Sequence, residues 1–461
     1  MSDPIFDVAV VGGGMAGLSA AFELQQRGNT VRVLDAGPRA GGVVLTDRFN
    51  GWTVDGGPDS LLVQKPGAVT LCKELGIADR LQSTLMPRTA YVLRDGRLHP
   101  LVEGSFLGFP LSASALVRSS LFSWPGKIRM ALEAAVPARA SQEDEAISAF
   151  VRRRFGEEAT TYLADPLLAG IHAGDADRLS AHALFPRLVQ AERTTGSVLR
   201  AFRALRTQPS PKGAFASLPG GTAELVEALT GALAPGTLTC NARVTGMRRS
   251  DTFVLDHGNG STTSRAVILA IPAYAAARLL SPFSEQIATL CRSIPYASTA
   301  TVAFGYRREQ IAHPLNGTGF VVPRVEPCPL LAGTWVSSKW PGRAPDGHAL
   351  LRGFLGGGRD PHRLDAPDNE LIRTAREALS TLLGIEGDPL FSRLYRWTRR
   401  SPQYEVGHLG KVRAIEAGLA EFSGIFVTGS GFRSIGIPDC ITDGRETATR
   451  AGAFAVEHQQ S

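Results

Sequence analysis

Residues 6–17 read FDVAVVGGGMAG, and that order decides the architecture. A short apolar run that ends in glycine has the pattern of a buried parallel strand. Residues 18–27 (LSAAFELQQR) follow as a helix with small residues on one face, and Gly28 and Asn29 stop it as a C-cap would. Residues 30–34 (TVRVL) give a second strand that ends at Asp35. Strand, glycine turn, helix and strand make a complete βαβ unit, so the chain is α/β with a parallel sheet at its start.

The glycine turn carries chemistry. Gly12-x-Gly14-x-x-Gly17 sits after a strand and opens a helix, the context that such a fingerprint requires. Gly12 permits the tight turn, Gly14 lets the backbone approach a pyrophosphate, and Gly17 lets helix and strand pack closely. Gly13, Met15 and Ala16 complete the cradle, where the helix N-terminus offers N–H groups and positive partial charge to phosphates. Asp35, with Ala36 beside it, stands where an acid would accept hydrogen bonds from ribose hydroxyls. The fingerprint alone fits NAD or FAD. Two glycine-rich stretches beyond it favour the longer cofactor: Asp35-x-x-x-Arg39-x-Gly41-Gly42 and Asp55-Gly56-Gly57-Pro58 supply further close backbone approaches. Arg39 reads either as part of this site or as a solvated surface charge.

The bulk of the sequence bounds the rest. Domains of ~100–200 residues predict two or three units in 461. With 43% hydrophobic and 20% charged residues, disorder is excluded. A net charge of +6 fits plain solubility or an anionic partner, either acidic substrate groups or an anionic membrane surface. Basic residues come in short bursts such as Arg152-Arg153-Arg154 and Arg399-Arg400, without interleaved aromatics, so nucleic acid is not expected as a partner. Five scattered cysteines without a C-x-x-C pair argue against zinc and for a reducing, cytoplasmic setting. The N-terminus lacks a basic signal region, and no run reaches ~18 apolar residues.

Along the chain, residues 111–206 read as mostly helical, with amphipathic pieces at 145–155 and 181–192. A helix is expected at 223–233, strands at 237–247, 252–267 and 266–271, and strands of a second sheet at 299–306, 318–323 and 348–354. Residues 369–383 form a further helix, 424–428 a last apolar strand, and 443–457 a closing helix.

These features resemble the flavin amine oxidase superfamily, and within it the protoporphyrinogen oxidase / coproporphyrinogen III oxidase family. The resemblance rests on the glycine-rich βαβ unit, D-x-x-x-R-x-G-G and Asp55-Gly56-Gly57-Pro58, and on several later motifs. Ile171-His172-Ala173-Gly174-Asp175 with Leu179-Ser180, Phe185-Pro186 and Ala191-Glu192 match one stretch, and residues 215–222 (FASLPGGT) another. Trp397…Pro402-Gln403-Tyr404…Gly407-His408 and Gly436-Ile437-Pro438-Asp439-Cys440-Ile441…Gly444-Arg445 match two more. Matches run from residue 5 to about residue 450, nearly the whole chain.

The resemblance implies a Rossmann-like FAD-binding domain of the p-hydroxybenzoate-hydroxylase-like kind, an inserted sheet-based substrate domain and a mostly helical lobe. The expected division is 1–85, 211–275 and 395–461 for the FAD domain, 86–110 and 276–394 for the substrate domain, and 111–210 for the lobe, which covers the site and is a candidate for peripheral contact with the inner membrane face. It implies non-covalent FAD, dioxygen as oxidant with release of hydrogen peroxide, and a porphyrinogen as substrate, in haem biosynthesis. The next enzyme of that pathway is a candidate partner. To the cofactor it adds Val244, Trp397, Gly429, Gly436, Ile437 and Pro438.

Porphyrinogen oxidation removes six hydrogens from a macrocycle whose methylene bridges lie between electron-rich pyrroles. The flavin takes up the hydride, so the protein has to place and orient. No catalytic triad or paired carboxylate is evident, and no side chain is assigned as catalytic. The pocket should be apolar with a basic anchor for a propionate. Arg88 matches the anchor position; its other reading is a surface arginine at a strand start. Glu103-Gly104-Ser105, Pro110, residues 121–127 and 317–321, and Lys339-Trp340-Pro341 look like the soluble bacterial branch, which favours coproporphyrinogen III, whereas Arg88 looks more like the protoporphyrinogen IX branch. Two other readings stay open: another flavin amine oxidase acting on an amine, although Gly431-Phe432-Arg433-Ser434 lacks the aromatic pair of those enzymes, and a tetrapyrrole or flavin carrier without turnover.

Overall fold

The computed structural model describes residues 4–101, 105, 108–109, 112–204 and 213–458. Glu103, Gly104 and Pro110 lie outside them. Two large sheets organise the chain.

The first sheet collects strands from three distant stretches. Its order is Leu238–Thr239, Val31–Leu34, Ile5–Val11, Gly260–Leu269, Phe253–His257 and Val244–Arg249, with Ile425–Val427 paired to Gly260–Leu269. Ile5–Val11 pairs in parallel with both neighbours, placing Val8 against Ala266 and Val10 against Ile268. From residue 7 on, the strand Ile5–Val11 is buried on both faces, which explains its apolar run at 8–11. One face packs against the helices Met15–Gln26 and Ile437–Glu457. The other carries Ala273–Leu280, Glu285–Arg292 and His408–Leu419.

The second sheet runs Phe391–Pro402, Tyr296–Arg307, His348–Gly356, Ala332–Trp335, Gly319–Val321, Ala90–Arg94 and Arg97–Pro100. All its pairings are antiparallel except Gly319–Val321 with Ala90–Arg94. The helix Asp368–Leu383 buries Leu371, Ala375, Leu379 and Leu383 against one face. Between the described residues 112 and 204 lies a lobe of short helices around Phe150, Phe155 and Leu163. Arg154 pins it from inside, donating to Glu133 at 2.8 Å and to the carbonyl of Val136.

Several expected elements shift, each for a local reason. The closing helix starts at Ile437 rather than 443, because Pro438 falls in its first turn, where a missing N–H costs nothing. The helix expected at 181–192 is two, Ala181–Leu184 and Pro186–Thr195, since Pro186 forces Phe185 out of the helical region (φ −130°). The strand expected at 252–267 is a hairpin, Phe253–His257 with Gly260–Leu269, turning at Gly258-Asn259. The stretch 237–247 holds two separate strands. Phe391–Pro402 is one continuous strand of the second sheet, which a boundary between 394 and 395 would cut. We propose that the chain returns to the first unit only after Pro402.

Candidate functional site

The glycine turn is built as tightly as its composition suggests. Gly12 has φ +109°, and a Cβ there would stand 2.4 Å from the carbonyl oxygen of Ala270. A Cβ on Gly17 would stand 1.9 Å from the oxygen of Gly12. Gly14 differs: a Cβ there meets no atom within 4 Å. Two of the three glycines are thus demanded by the protein itself, while the third faces open space. Gly14 is also the N-cap of the helix Met15–Gln26 and supplies no side-chain cap. The unpaired first-turn N–H groups expected at a helix start suit an anion.

The path continues on both sides of Gly14. Asp35 accepts the N–H of Gly13 at 2.6 Å through Oδ2 and that of Gly37 at 2.7 Å through Oδ1. A carboxylate has about four acceptor sites, so capacity remains for hydroxyl donors. Ala36 is exposed beside it. The N–H groups of Ala242 and Asn241 donate to the carbonyls of Asp35 and Gly37, which brings the strand start at Val244 to this end. On the other side, Gly41 N–H donates to the Gly13 carbonyl at 2.7 Å, and a Cβ on Gly42 would be 3.4 Å from Gly14 Cα. Val43 comes next, and its carbonyl oxygen would be 1.9 Å from a Cβ on Gly57. Asp35, Gly14, Gly42 and Gly57 therefore trace one continuous line of close backbone.

Arg39 spans that line without pointing into solvent. It donates to the carbonyls of Ala40 (2.9 Å), Val44 (2.8 Å) and Gly42 (2.9 Å), so its guanidinium shapes the Gly41-Gly42 turn. The Asp55 side chain is wholly buried and accepts from Thr46 Oγ1 and from the N–H of Thr222, which commits it to the scaffold. Pro58 offers its carbonyl to Thr222 Oγ1 at 2.7 Å. Trp397 Nε1 donates to the Gly56 carbonyl at 2.9 Å and packs at the turn.

A second helix start lies alongside the first. Gly436 is the N-cap of Ile437–Glu457, again without a side-chain cap. Gly444 presses on Ala16, its Cβ position 2.2 Å from the Ala16 oxygen, and Gly429 lies against the Ala16 side chain. From Ile437 to Gly444 the helix rises about 10 Å. The helix start at Gly436 therefore lies about two turns along its helix from the contact of Gly444 with Ala16. Gly429 is fixed by Asp443, which accepts its N–H at 2.8 Å and the Thr428 hydroxyl at 2.6 Å. Arg433 turns away from this line: it donates to Asp443 Oδ1 and the Val427 carbonyl and pairs with Glu416. Cys440 donates its thiol to the Ser434 carbonyl, and burial with the charges of Asp443 and Asp439 pushes its pKa up to about 12. It stays protonated and is a poor nucleophile.

Arg88 is half-buried on the segment before the strand Ala90–Arg94, donates through Nε to the Thr84 carbonyl at 3.0 Å, and lies beside Gly213. Lys65 pairs with Asp439 of the closing helix at 2.6 Å. Arg97 is exposed at the hairpin tip, opposite Arg94.

Sequence reasoning took the stretch 397–408 only as a resemblance, and the structure gives it work. Gln403 Nε2 donates to the His172 carbonyl, Tyr404 to the Ser430 carbonyl at 2.8 Å, and His408 Nε2 to the Phe432 carbonyl at 2.7 Å, with the Tyr404 and His408 rings stacked. This strap ties the lobe to the loop before the closing helix. His172, at the lobe end of this strap, was assigned no role from the sequence. Its Nδ1 is buried without a hydrogen-bond partner, and burial with the nearby Lys65 charge lowers its pKa to about 4, so it is neutral at pH 7. The sequence placed it within the Ile171–Asp175 motif, but the unpartnered nitrogen itself has no signature in sequence.

The family model described as flavin containing amine oxidoreductase matches residues 15–451. The chain is 34% identical to the coproporphyrinogen III oxidase of Bacillus subtilis (strain 168), across 98% of this chain and 99% of that one. It is 27% identical to the chloroplastic protoporphyrinogen oxidase of Nicotiana tabacum, across 97% and 86%. A crystal structure from Exiguobacterium sp. 255-15 superposes with a TM-score of 0.86 at 28% identity, covering 99% of this chain and 100% of that one. Cyclohexylamine oxidase from Brevibacterium oxydans shares the fold, with a TM-score of 0.70 at 16% identity over 99% and 100%.

Proposed function

The chain belongs to the flavin containing amine oxidoreductase family, and we propose that it is an FAD-dependent porphyrinogen oxidase of haem biosynthesis that converts coproporphyrinogen III to coproporphyrin III. The observation that carries the cofactor is the continuous line from Asp35 through Gly14 and Gly42 to Gly57, with the helix Ile437–Glu457 packed on Ala16 beside it. A dinucleotide would be held by Asp35 at a ribose and by the open space at Gly14 at the pyrophosphate, and Gly56, Gly57 and Gly436 would border the flavin. The reading takes binding as non-covalent, and a Cys440 thiol held protonated by burial supports it. The choice of substrate rests on the near-full-length likeness to the Bacillus enzyme.

A flavin bound there would supply the hydride-accepting chemistry, with dioxygen as the final oxidant and hydrogen peroxide as its product. This chain's residues place and orient. Gly12, Gly17 and Gly57 keep the backbone close enough for the cofactor to lie extended. Arg39 fixes the loop next to the phosphate site. Arg88 is the proposed propionate anchor at the mouth of the site. Purified protein assayed in air with coproporphyrinogen III and, separately, protoporphyrinogen IX tests the choice. Faster porphyrin formation from coproporphyrinogen III supports it, and a preference for protoporphyrinogen IX overturns it.

A peripheral membrane contact is also proposed, on the helical lobe. No helix of the described residues is long and apolar enough to cross a membrane. Trp124, Ile128 and Leu132 nevertheless recur at helical spacing and are 62%, 58% and 55% exposed, with the exposed Val117 and Arg118 on the neighbouring helix. Such a stripe suits the interface of an anionic bilayer. Co-sedimentation with phosphatidylglycerol vesicles that Trp124→Ser abolishes supports this contact, and equal sedimentation of both proteins refutes it.

A further inference from the structure

Five ionisable side chains meet in the interior where three stretches of chain cross, and the glycine fingerprint contains none of them. Asp55 and Asp59 flank the Gly56-Gly57-Pro58 turn. Lys339, Arg343 and Arg352 come from the second sheet, Arg352 from the strand His348–Gly356 and the other two from the segment leading into it. Asp59 takes Lys339 Nζ at 2.9 Å and Arg352 Nη2 at 2.7 Å. Arg343 Nη1 stands 3.0 Å from Asp55 Oδ2, a charge contact without hydrogen-bond alignment. Asp55 and Arg343 are fully buried, and Asp59 and Arg352 nearly so.

The same arginines bind backbone across the junction. Arg352 Nη1 donates to the carbonyls of Asp55 (2.6 Å) and Gly57 (3.0 Å). Arg343 Nη2 donates to Ser217 Oγ (2.7 Å) and the Leu218 carbonyl (3.2 Å), and Ser217 Oγ donates to the Asp59 carbonyl at 2.9 Å. Residues 55–59, 215–218 and 339–352 are sewn together by these bonds. Within the cluster, three cations face two carboxylates, and Nε of Arg343 and Nε of Arg352 are buried without hydrogen-bond partners. Apolar side chains could close such a junction with less desolvation cost, so its presence points to register rather than to stability.

We propose that the Lys339–Asp59–Arg352 cluster positions the Gly56–Pro58 turn against the substrate sheet and leaves one uncompensated positive charge beside the flavin carried there. The inference rests on the reading that this turn carries the flavin. Arg352 fixes the turn through its two carbonyls, and Lys339 completes the charge. The excess positive charge favours the electron-rich reduced flavin over the oxidised form. These are positioning residues, since none is placed on the reacting atoms.

The test uses the full chain with Lys339→Met, Lys339→Arg and Arg352→Lys, each read by FAD dissociation constant, flavin midpoint potential and thermal midpoint of the apoprotein. Lys339→Met should move the potential negative and weaken FAD at least tenfold, and Lys339→Arg should restore both. Arg352→Lys keeps the charge but loses the double carbonyl bridge, so it should weaken FAD while changing the potential less than Lys339→Met does. If Lys339→Met fails to fold, the other two variants still decide. Variants that melt lower yet keep the wild-type dissociation constant and potential overturn the proposal and leave a merely structural cluster. A wild-type protein that binds no FAD instead overturns the functional reading.

Discussion

Gly14→Val should give a folded protein without FAD, whereas Gly12→Val and Gly17→Val should damage the fold itself. The three residues differ in the space around them. At Gly17 a Cβ would lie 1.9 Å from a backbone oxygen, and at Gly12 2.4 Å from another, with φ +109° besides. Overpacking costs ~1–3 kcal/mol and a strained positive φ a further ~1–3 kcal/mol. At Gly14 the Cβ position is open and the backbone (φ −75°, ψ 179°) suits a β-branched residue, so the apoprotein should change by less than about 0.5 kcal/mol. The ligand effect is larger. At a free FAD concentration of about 100 times its dissociation constant, wild type gains ~2.7 kcal/mol. With an unfolding entropy of about 2 cal/mol/K per residue, that gain is roughly a 3 °C rise in melting midpoint if the chain unfolds as one unit. The assay is thermal unfolding of the three variants with and without FAD, beside the flavin absorbance of the purified proteins. Full flavin occupancy in Gly14→Val would refute the phosphate-site assignment, and an unfolded Gly14→Val would refute the claim that only the ligand needs that glycine.

Other consequences rest on single residues. Because the Cys440 thiol is held protonated, acid precipitation should release all flavin into the supernatant, and Cys440→Ala should retain flavin; pigment left in the pellet contradicts this. Burial lowers the His408 pKa to about 4 from an ordinary value near 6.5, helped by Lys411, while its bond to the Phe432 carbonyl opposes the shift. The unfolded chain therefore binds the proton first, so stability is full above about pH 6.5 and falls as pH drops toward 4, by up to about 3 kcal/mol from this residue. His408→Gln should flatten that slope in pH-dependent urea unfolding, without abolishing it, since His172 titrates in the same window. Arg88→Ala should weaken apparent porphyrinogen binding by roughly ten- to a hundredfold, as a charged hydrogen-bonded pair of ~1.5–3 kcal/mol requires, with FAD content unchanged. Equal saturation curves for anaerobic flavin reduction would mean that Arg88 is no anchor.

The first sheet and the glycine-rich line beside it were legible because their signals are local. A glycine at +109° and a helix start at Gly14 leave their mark within a dozen residues. Two hairpins carried equally local marks that went unread: Asn50-Gly51 between Thr46–Phe49 and Trp52–Asp55, and Asp95-Gly96 between Ala90–Arg94 and Arg97–Pro100, all four turn residues at positive φ. The strand Phe391–Pro402 stayed hidden because Arg393, Arg396, Arg399 and Arg400 interrupt its apolar alternation, their charges going to the surface or to partners such as Asp47 and Asp368. The roles of Asp55, Asp59, Arg343 and Arg352 could not be read at all. Their partners lie up to about three hundred residues away in sequence, and no spacing rule joins Asp55 to Arg352.

The central claim is that a flavin in this chain takes electrons from a porphyrinogen and gives them to oxygen. Anaerobic mixing of the FAD-loaded protein with coproporphyrinogen III tests it most directly. The account predicts that the flavin absorbance bleaches, and that admitting air restores it while coproporphyrin III and hydrogen peroxide form, one peroxide for each pair of hydrogens removed. Flavin that stays oxidised under coproporphyrinogen III and protoporphyrinogen IX alike, yet bleaches with an alkylamine, would contradict it.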